Sequence, residues 1–341
     1  MEQILTVEGL ETSFFTHAGE IKAVRDISFG VGKGETLGIV GESGSGKSVT
    51  SLSVMRLLQE NGKIVGGKIL FQGEDLVTAP KKQIRSIRGG KISMIFQDPM
   101  TSLNPLMTVG NQVREALLEH NPDMSKAQAK DEVLRLFELV KIPDPENRYK
   151  AYPHELSGGM RQRIVIAMAL SCKPELVIAD EPTTALDVTI QDQILKLLQS
   201  LQDELQMSVL FITHDLGVVA ELCDRVIVMY GGMIMEEGLS DELFFNPAHP
   251  YTMGLLSCIP KMEQDKSQRL DPIAGSPPDM LNPPKGCPFY PRCAYARTIC
   301  AQHMPPFKQL SGTHKSLCWL LDDDAPAEGN PFKGKGGMQD G

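Results

Sequence analysis

Nowhere in its 341 residues does the chain hold a run of about 18 or more uncharged apolar residues, the length a membrane-crossing helix needs. Nothing in it is therefore expected to span a bilayer alone. Residues 1–10 also lack the basic segment followed by an apolar one that marks a secretory leader, and carry Glu2 and Glu8 instead. The expected location is the cytosol. An excess of basic charge is missing as well: 34 Lys and Arg face 43 Asp and Glu, a net charge of −9, which argues against nucleic acid as a main partner. There is no internal repeat and no long heptad run. No Cys-x-x-Cys pair occurs among the seven cysteines, so the common zinc-ribbon spacing is absent.

What is present suits a soluble globular protein, with 41% hydrophobic residues and a length that accommodates two domains. Segments 35–40, 91–96, 175–180, 209–213 and 225–230 are rich in Ile, Val, Leu and Met with little alternation, as buried strands of a mostly parallel sheet are. Segments 1–29 and 67–71 alternate more and read as an antiparallel flank. Between Pro105 and Tyr152 the pattern turns helical, over 111–119 and 125–140, with Ser125 and Gln128 spaced as a capping box. Seven prolines between Pro272 and Pro291 forbid a continuous helix or central strand there. The expected organisation is an α/β core over 1–245 with a helical subdomain at about 105–160, a small extension over 246–321, and a disordered tail over 322–341.

The chemistry begins with Gly41-Glu-Ser-Gly-Ser-Gly-Lys-Ser48, which follows an apolar strand and leads into a helix. In such a phosphate loop the glycines let backbone N–H groups point inward at phosphate oxygens, and the helix N-terminus adds partial positive charge. Lys47 would reach the β- and γ-phosphates and the Ser48 hydroxyl would ligate Mg²⁺. Leu176-Val-Ile-Ala-Asp180-Glu181 ends a strand in two acids at the sheet's carboxyl edge. Asp180 would hold Mg²⁺ and Glu181 would polarise an attacking water, enough for phosphoryl transfer, which is mostly positioning and charge stabilisation. Alone, such a pair equally well caps the next helix. His214, after another strand, could contact the γ-phosphate or the water, and a lone His there is also compatible with a structural role. Gln97 is similarly open.

Leu156-Ser157-Gly158-Gly159-Met160 completes the set. With the other motifs in this order, the chain resembles the nucleotide-binding subunits of ABC transporters, although the family's final Gln is Met160 here. The resemblance implies that Ser157, Gly158 and Gly159 open a helix facing ATP held by an opposite subunit. It also implies that Gln97 senses Mg²⁺ and the water, and that Ala185-Leu186-Asp187 crosses the dimer interface. Phe14 matches the aromatic that stacks on adenine, with Phe15 a close competitor. The ATP-binding set is then Phe14, Gly41, Ser43, Gly44, Ser45, Gly46, Lys47, Ser48, Ser157, Gly158, Gly159 and Asp187. Glu181, His214 and Gln97 would be catalytic, with Ser48, Gln97 and Asp180 around Mg²⁺.

The run Phe96-Gln-Asp-Pro-Met-Thr-Ser-Leu-Asn-Pro105, the run Asp180-Glu-Pro-Thr-Thr-Ala-Leu-Asp-Val-Thr-Ile190 and Asn246-Pro-Ala-His-Pro-Tyr-Thr252 resemble one branch, the oligopeptide and dipeptide importer ATPases. That branch also moves nickel and other small solutes. The implied partners are a second homologous ATPase, two transmembrane permease subunits and an extracytoplasmic substrate-binding protein, at the cytoplasmic face of the cell membrane. The apolar Met100, Leu103, Leu106 and Met107 would suit a socket for a permease coupling helix, or in part ordinary core. A soluble ABC ATPase that remodels nucleic acid fits poorly, given a single core and an acidic balance.

Cys287, Cys293, Cys300 and Cys318 crowd into 32 residues, a pattern that in a reducing compartment suggests metal before disulfide. Four thiolates can hold a [4Fe–4S] cluster, and the family resemblance points to one in some members. Zinc helped by His303 or His314, or four unligated thiols, remain alternatives. Cys172, Cys223 and Cys258 are read as small buried hydrophobes.

Overall fold

A computed structural model of the chain describes residues 2–98, 102–184, 186–259 and 273–333. Its strands are β1 (Gln3–Thr16), β2 (Gly19–Gly32), β3 (Thr36–Val40), β4 (Gly62–Phe71), β5 (Glu74–Asp75), β6 (Ile92–Ile95), β7 (Leu176–Asp180), β8 (Ser208–Thr213), β9 (Arg225–Tyr230), β10 (Met233–Leu239), β11 (Lys308–Gln309) and β12 (Lys315–Ser316). Among the described residues they form two sheets. An antiparallel sheet runs β2-β1-β4-β5, and a larger mixed one runs β11-β12-β10-β9-β3-β8-β7-β6. Within the second, β9, β3, β8, β7 and β6 are parallel.

Both faces of this parallel set are covered, which explains why its strands are apolar without polar alternation. The alternation is between two cores instead. Leu37, Ile39, Leu176, Ile178, Leu210, Ile212, Ile227 and Met229 face the antiparallel flank. Val40, Val177, Ala179, Val209, Phe211, Val226 and Val228 face the helices. On that side Val109–His120, Lys126–Leu139 and Gly158–Leu170 pack around Val113, Leu117, Val133, Leu136, Phe137 and Ile164. Ser125 and Gln128 close the capping box expected from their spacing. The strands and helices sit within a few residues of their expected positions.

Three features differ from expectation. Leu103 is core, 3% exposed, so it cannot line an open socket; Leu106 is 85% exposed, Met107 is half-buried, and Met100 lies outside the described residues. The extension is also no appendage, since β12 pairs with β10 and prolongs the main sheet. Two short proline-free segments past the proline run make this possible. Finally, residues 322–333 are placed in turns rather than left free. Asn330 is buried and donates to the Leu320 carbonyl at 2.8 Å, and the Lys333 ammonium reaches the Asp323 and Ala325 carbonyls. The rest of the expected tail, 334–341, lies outside the described residues.

The two sheets and the extension are cross-linked by one cation. Arg225 on β9 donates to Glu35 at 2.8 Å, to Glu237 on β10, and to the Gly30 carbonyl on β2; Lys315 on β12 also reaches Glu237 at 2.8 Å. Both carboxylates are less than a tenth exposed. Removing the cation leaves two buried negative charges short of compensation. Arg225→Ala should therefore destabilise the fold by about 3 kcal/mol, read as a lowered midpoint in urea unfolding. An unchanged midpoint would show that water replaces the guanidinium at little cost.

Candidate nucleotide site

The phosphate loop joins β3 to the helix Lys47–Val54. Its shape depends on missing Cβ atoms. Gly41 has φ 150°, and a Cβ there would stand 2.2 Å from the Met229 carbonyl oxygen and 2.9 Å from Ser45 Oγ. At Gly46, φ 104°, a Cβ would stand 2.7 Å from the Ala23 carbonyl. Only glycine tolerates both the positive φ and the close backbone. Ser43 and Gly44 form the exposed tip, while Ser45, Gly46 and Lys47 are buried. Ser45 Oγ has no hydrogen-bond partner among the described residues, although it is fully buried. A buried hydroxyl without a partner in such a glycine-built loop is a donor that a bound anion could satisfy.

Lys47 folds its ammonium back on the loop, donating to the carbonyls of Gly41 at 2.7 Å and Glu42 at 3.0 Å. Burial lowers its pKa, while Glu181, Asp180 and Glu42 pull it back up. Ser48 Oγ donates to Asp180 Oδ1 at 2.9 Å, and Ser51 Oγ, one helical turn on, to Oδ2 at 3.4 Å. Burial raises the Asp180 pKa, with the two hydroxyls and Lys47 opposing. These are hard oxygen donors beside a lysine, a set that fits Mg²⁺ with a polyphosphate.

Glu181 is the junction of the site. Its backbone has φ 47°, in the left-handed region rarely adopted outside glycine, and its N–H bonds the Ile212 carbonyl on β8 at 2.8 Å. The parallel order places it between its partners. Gln97, just past β6, donates from Nε2 to Glu181 Oε2 at 2.8 Å, and His214, just past β8, sets Nδ1 3.2 Å from Oε1. Thr184 Oγ1 adds a bond to Oε2 at 2.9 Å. Gln97 and His214 thus touch the same carboxylate from opposite sides. Holding a non-glycine residue at positive φ costs free energy, a cost often met where a side chain must be aimed.

The remaining predicted residues gather on a second surface. Ser157 caps the helix Gly158–Leu170, accepting from Met160 N–H, and is exposed with Gly158. Asp187 caps Val188–Leu205 by accepting from Ile190 N–H at 3.1 Å. The two helix starts abut: a Cβ on Gly159 would fall 2.6 Å from Ile190 Cγ2, and one on Gly158 would touch Leu186. Ala185 lies outside the described residues. Phe14 is half-buried with its ring against Gly62, and Phe15 is 45% exposed beneath the Lys63 ammonium.

Sequence reading missed Ser51, Thr184, Glu42 and Arg292. The first two were within reach, one helical turn past Ser48 and three residues past Glu181. Arg292 carried no local signal, for it meets Glu42 across 250 residues of chain.

The four clustered cysteines come together without forming a ligand shell. Burial, chiefly, pushes the Cys318 thiol up to about 12, with Cys287, Cys293 and Cys300 adding to the rise, so the four lie within electrostatic reach of one another. Among the described residues, however, no group of three or more His, Cys, Asp or Glu side chains is disposed to hold a metal ion. The expected [4Fe–4S] cluster therefore finds no support in the geometry. His314, the other residue considered for zinc, pairs its Nε2 with buried Glu236 at 2.8 Å.

A glycine-built phosphate loop, an acid pair at the end of the neighbouring strand and a Ser-capped glycine helix start define the ATP-hydrolysing cassette of an ABC machine. Comparison with known proteins agrees. Residues 24–184 match the family model "ABC transporter", and residues 235–300 match "Oligopeptide/dipeptide transporter, C-terminal region". The chain is 54% identical to the oligopeptide transport ATP-binding protein OppD of Bacillus subtilis (strain 168), over 95% of this chain and 90% of that protein. It is 54% identical to the dipeptide transport ATP-binding protein DppD of the same organism, over 95% and 97%. With OppD of Salmonella typhimurium the identity is 50%, over 93% of each. Among solved structures, an ATP-binding cassette dimer in a post-hydrolysis state with ADP and Pi aligns at TM-score 0.63 and 26% identity, over 69% of this chain and 98% of that one. The chain belongs to the ATP-binding subunits of oligopeptide and dipeptide ABC transporters.

Gly41→Ala tests the cradle directly. The added methyl has nowhere to go, so ATP affinity should fall by roughly 100-fold or more in a calorimetric titration, with some loss of thermal stability. Undiminished affinity would mean that this loop does not surround the phosphates.

Proposed function

We propose that this subunit, paired with a second homologous ATPase, hydrolyses ATP to drive import of di- or oligopeptides through two permease subunits at the cytoplasmic face of the membrane. The single observation that carries the catalytic part is the convergence of Gln97 and His214 on the two oxygens of Glu181. A carboxylate held from both sides can keep a lone pair aimed at one water, which places the nucleophile in line rather than creating a stronger one. Lys47 and the N–H groups of 41–48 would bind the phosphates, and the loop's closeness keeps bulk water from them. Ser48 and Asp180 would hold Mg²⁺, which when bound supplies positive charge to the β- and γ-phosphate oxygens.

The rest of the proposal follows from surfaces and relatives. Ser157, Gly158 and Asp187 expose a helix start beside a capping carboxylate, and this suits contact with ATP held by the paired subunit. The substrate class comes from the relatives' names. No described helix is long and apolar enough to cross a membrane, in keeping with a subunit attached through permeases. Exposed Leu106 offers one apolar contact for them. An extracytoplasmic binding protein would deliver the solute.

The iron–sulfur part of the reading rests on the family resemblance and on the sequence clustering of Cys287, Cys293, Cys300 and Cys318, not on the geometry. Anaerobic purification should then yield near-stoichiometric iron and sulfide, both lost in Cys293→Ser. Folded, active protein free of iron and sulfide would remove the cluster from the proposal and leave the ATPase assignment as it stands.

Glu181→Gln is the test of the mechanism. In the assembled complex it should keep ATP binding while lowering turnover by roughly 100-fold or more. Hydrolysis near the wild-type rate would exclude Glu181 as the group that positions water.

A further inference from the structure

The second residue of the phosphate loop is an acid, Glu42, whose negative charge acts on Lys47 in the same loop. The structure gives it a dedicated partner in the C-terminal extension. Arg292 Nη1 lies 2.6 Å from Glu42 Oε2 and Nη2 3.0 Å from Oε1, a bidentate pair. The same guanidinium donates to Tyr230 OH at 3.1 Å and to the carbonyls of Ile273 and Ala274 at 2.9 and 2.8 Å. Its side chain is 5% exposed, whereas that of Glu42 is 26% exposed. Arg292 is thus satisfied on every donor face, and Glu42 is the more exposed of the two partners.

Two further contacts join the extension to the loop. The Glu42 N–H donates to Tyr251 OH at 2.9 Å, and Tyr251 is fully buried against Tyr230 and Phe289. The Gly232 N–H, in the turn between β9 and β10, donates to the Ser45 carbonyl at 3.0 Å. That turn is packed under the extension, for a Cβ on Gly231 would meet Pro288 and Pro278 at about 3 Å.

We infer that Arg292 is a positioning residue of the nucleotide site: it neutralises Glu42 and pins the loop backbone that holds Lys47, so that ATP affinity depends on the C-terminal extension. The physical reasons are two. An uncompensated carboxylate in an anion cradle repels the triphosphate, and the effect is large where the surroundings are partly buried. The Glu42 carbonyl also accepts from the Lys47 ammonium at 3.0 Å, so a displaced Glu42 moves the acceptor that aims the lysine. A bidentate guanidinium fixes both position and charge, which a lysine cannot do equally.

The inference rests on reading 41–48 as the ATP site, and the experiment separates the two. Binding of a non-hydrolysable ATP analogue to the full-length chain is measured by calorimetry for wild type, Lys47→Ala, Arg292→Ala, Arg292→Lys, and the double variant Glu42→Gln with Arg292→Ala. Steady-state hydrolysis is measured in the assembled complex. Lys47→Ala should abolish binding; if it does not, the site assignment itself fails. Arg292→Ala should weaken binding by roughly tenfold, raising KM for ATP more than it lowers kcat, with Arg292→Lys in between. The double variant should regain most of the lost affinity, because the unpaired negative charge has gone. Unchanged affinity in Arg292→Ala, or a double variant no better than the single one, would overturn the inference. Should Arg292→Ala fold poorly, the double variant still decides it: near-wild-type affinity supports charge compensation, and roughly tenfold weakening contradicts it.

Discussion

A buried ammonium is expensive, and the architecture of this protein is arranged around one. Lys47 is 5% exposed, and its charge is tolerated because two loop carbonyls accept from it and the carboxylates of Asp180, Glu181 and Glu42 act on it. Those partners come from two parts of the chain, the loop itself and the end of β7. The carbonyls require the glycine-permitted path of 41–46 after β3. The carboxylates of Asp180 and Glu181 require β7 to end at the same edge of the sheet, and β8, between β3 and β7, brings His214 to that edge too. The apolar runs that place these strands side by side, buried on both faces, thus serve to gather charges at their carboxyl ends.

Much of this was legible in the chain itself. The phosphate loop, the strand-end acids and the glycine helix start are local patterns whose spacing is dictated by turn and helix geometry. Residue type and order sufficed for them. The flanking sheet and the capping box at Ser125 were legible for the same reason. What stayed hidden depends on tertiary contact. Gln97 and His214 have no local feature that sets them apart from structural residues; only the shared partner Glu181 does. Leu103 and Leu106 lie three residues apart in one apolar run, and only packing makes the first core and the second surface. The cysteine spacing carried less, since among the described residues no group of three or more His, Cys, Asp or Glu is disposed to hold a metal ion.

The C-terminal extension illustrates how a proline-rich segment can be ordered without much regular structure. It borrows order from the core. β12 pairs with β10, Ser316 Oγ donates to the Met235 carbonyl at 3.4 Å, and the Tyr230, Tyr251 and Phe289 rings form one cluster across the boundary. Such aromatic contacts supply large burial at little entropic cost. A boundary drawn from composition near Asn246 therefore separates two sequence styles and not two independent bodies.

The same reasoning applies at the other end of the site, where Gln97 donates to Glu181 at 2.8 Å. Further along the chain, the segment from Asn104 to Met107 is braced rather than loose. Gln112, 7% exposed on the helix Val109–His120, accepts from the Asn104 N–H at 2.8 Å and donates to the carbonyls of Asn104 and Met107 at 2.9 and 3.0 Å. The Val109 N–H in turn bonds the Ala151 carbonyl at 2.9 Å, just before the segment that leads to Ser157. Exposed Leu106 sits within this braced loop. A shift imposed at Leu106 cannot be absorbed by slack around Asn104, because three side-chain bonds would have to break together. It is passed instead to the helix Val109–His120 and, through the Val109 N–H, to the backbone at Ala151. A braced segment thus joins exposed Leu106 to the helical subdomain and, through Ala151, to the stretch of chain that leads to Ser157.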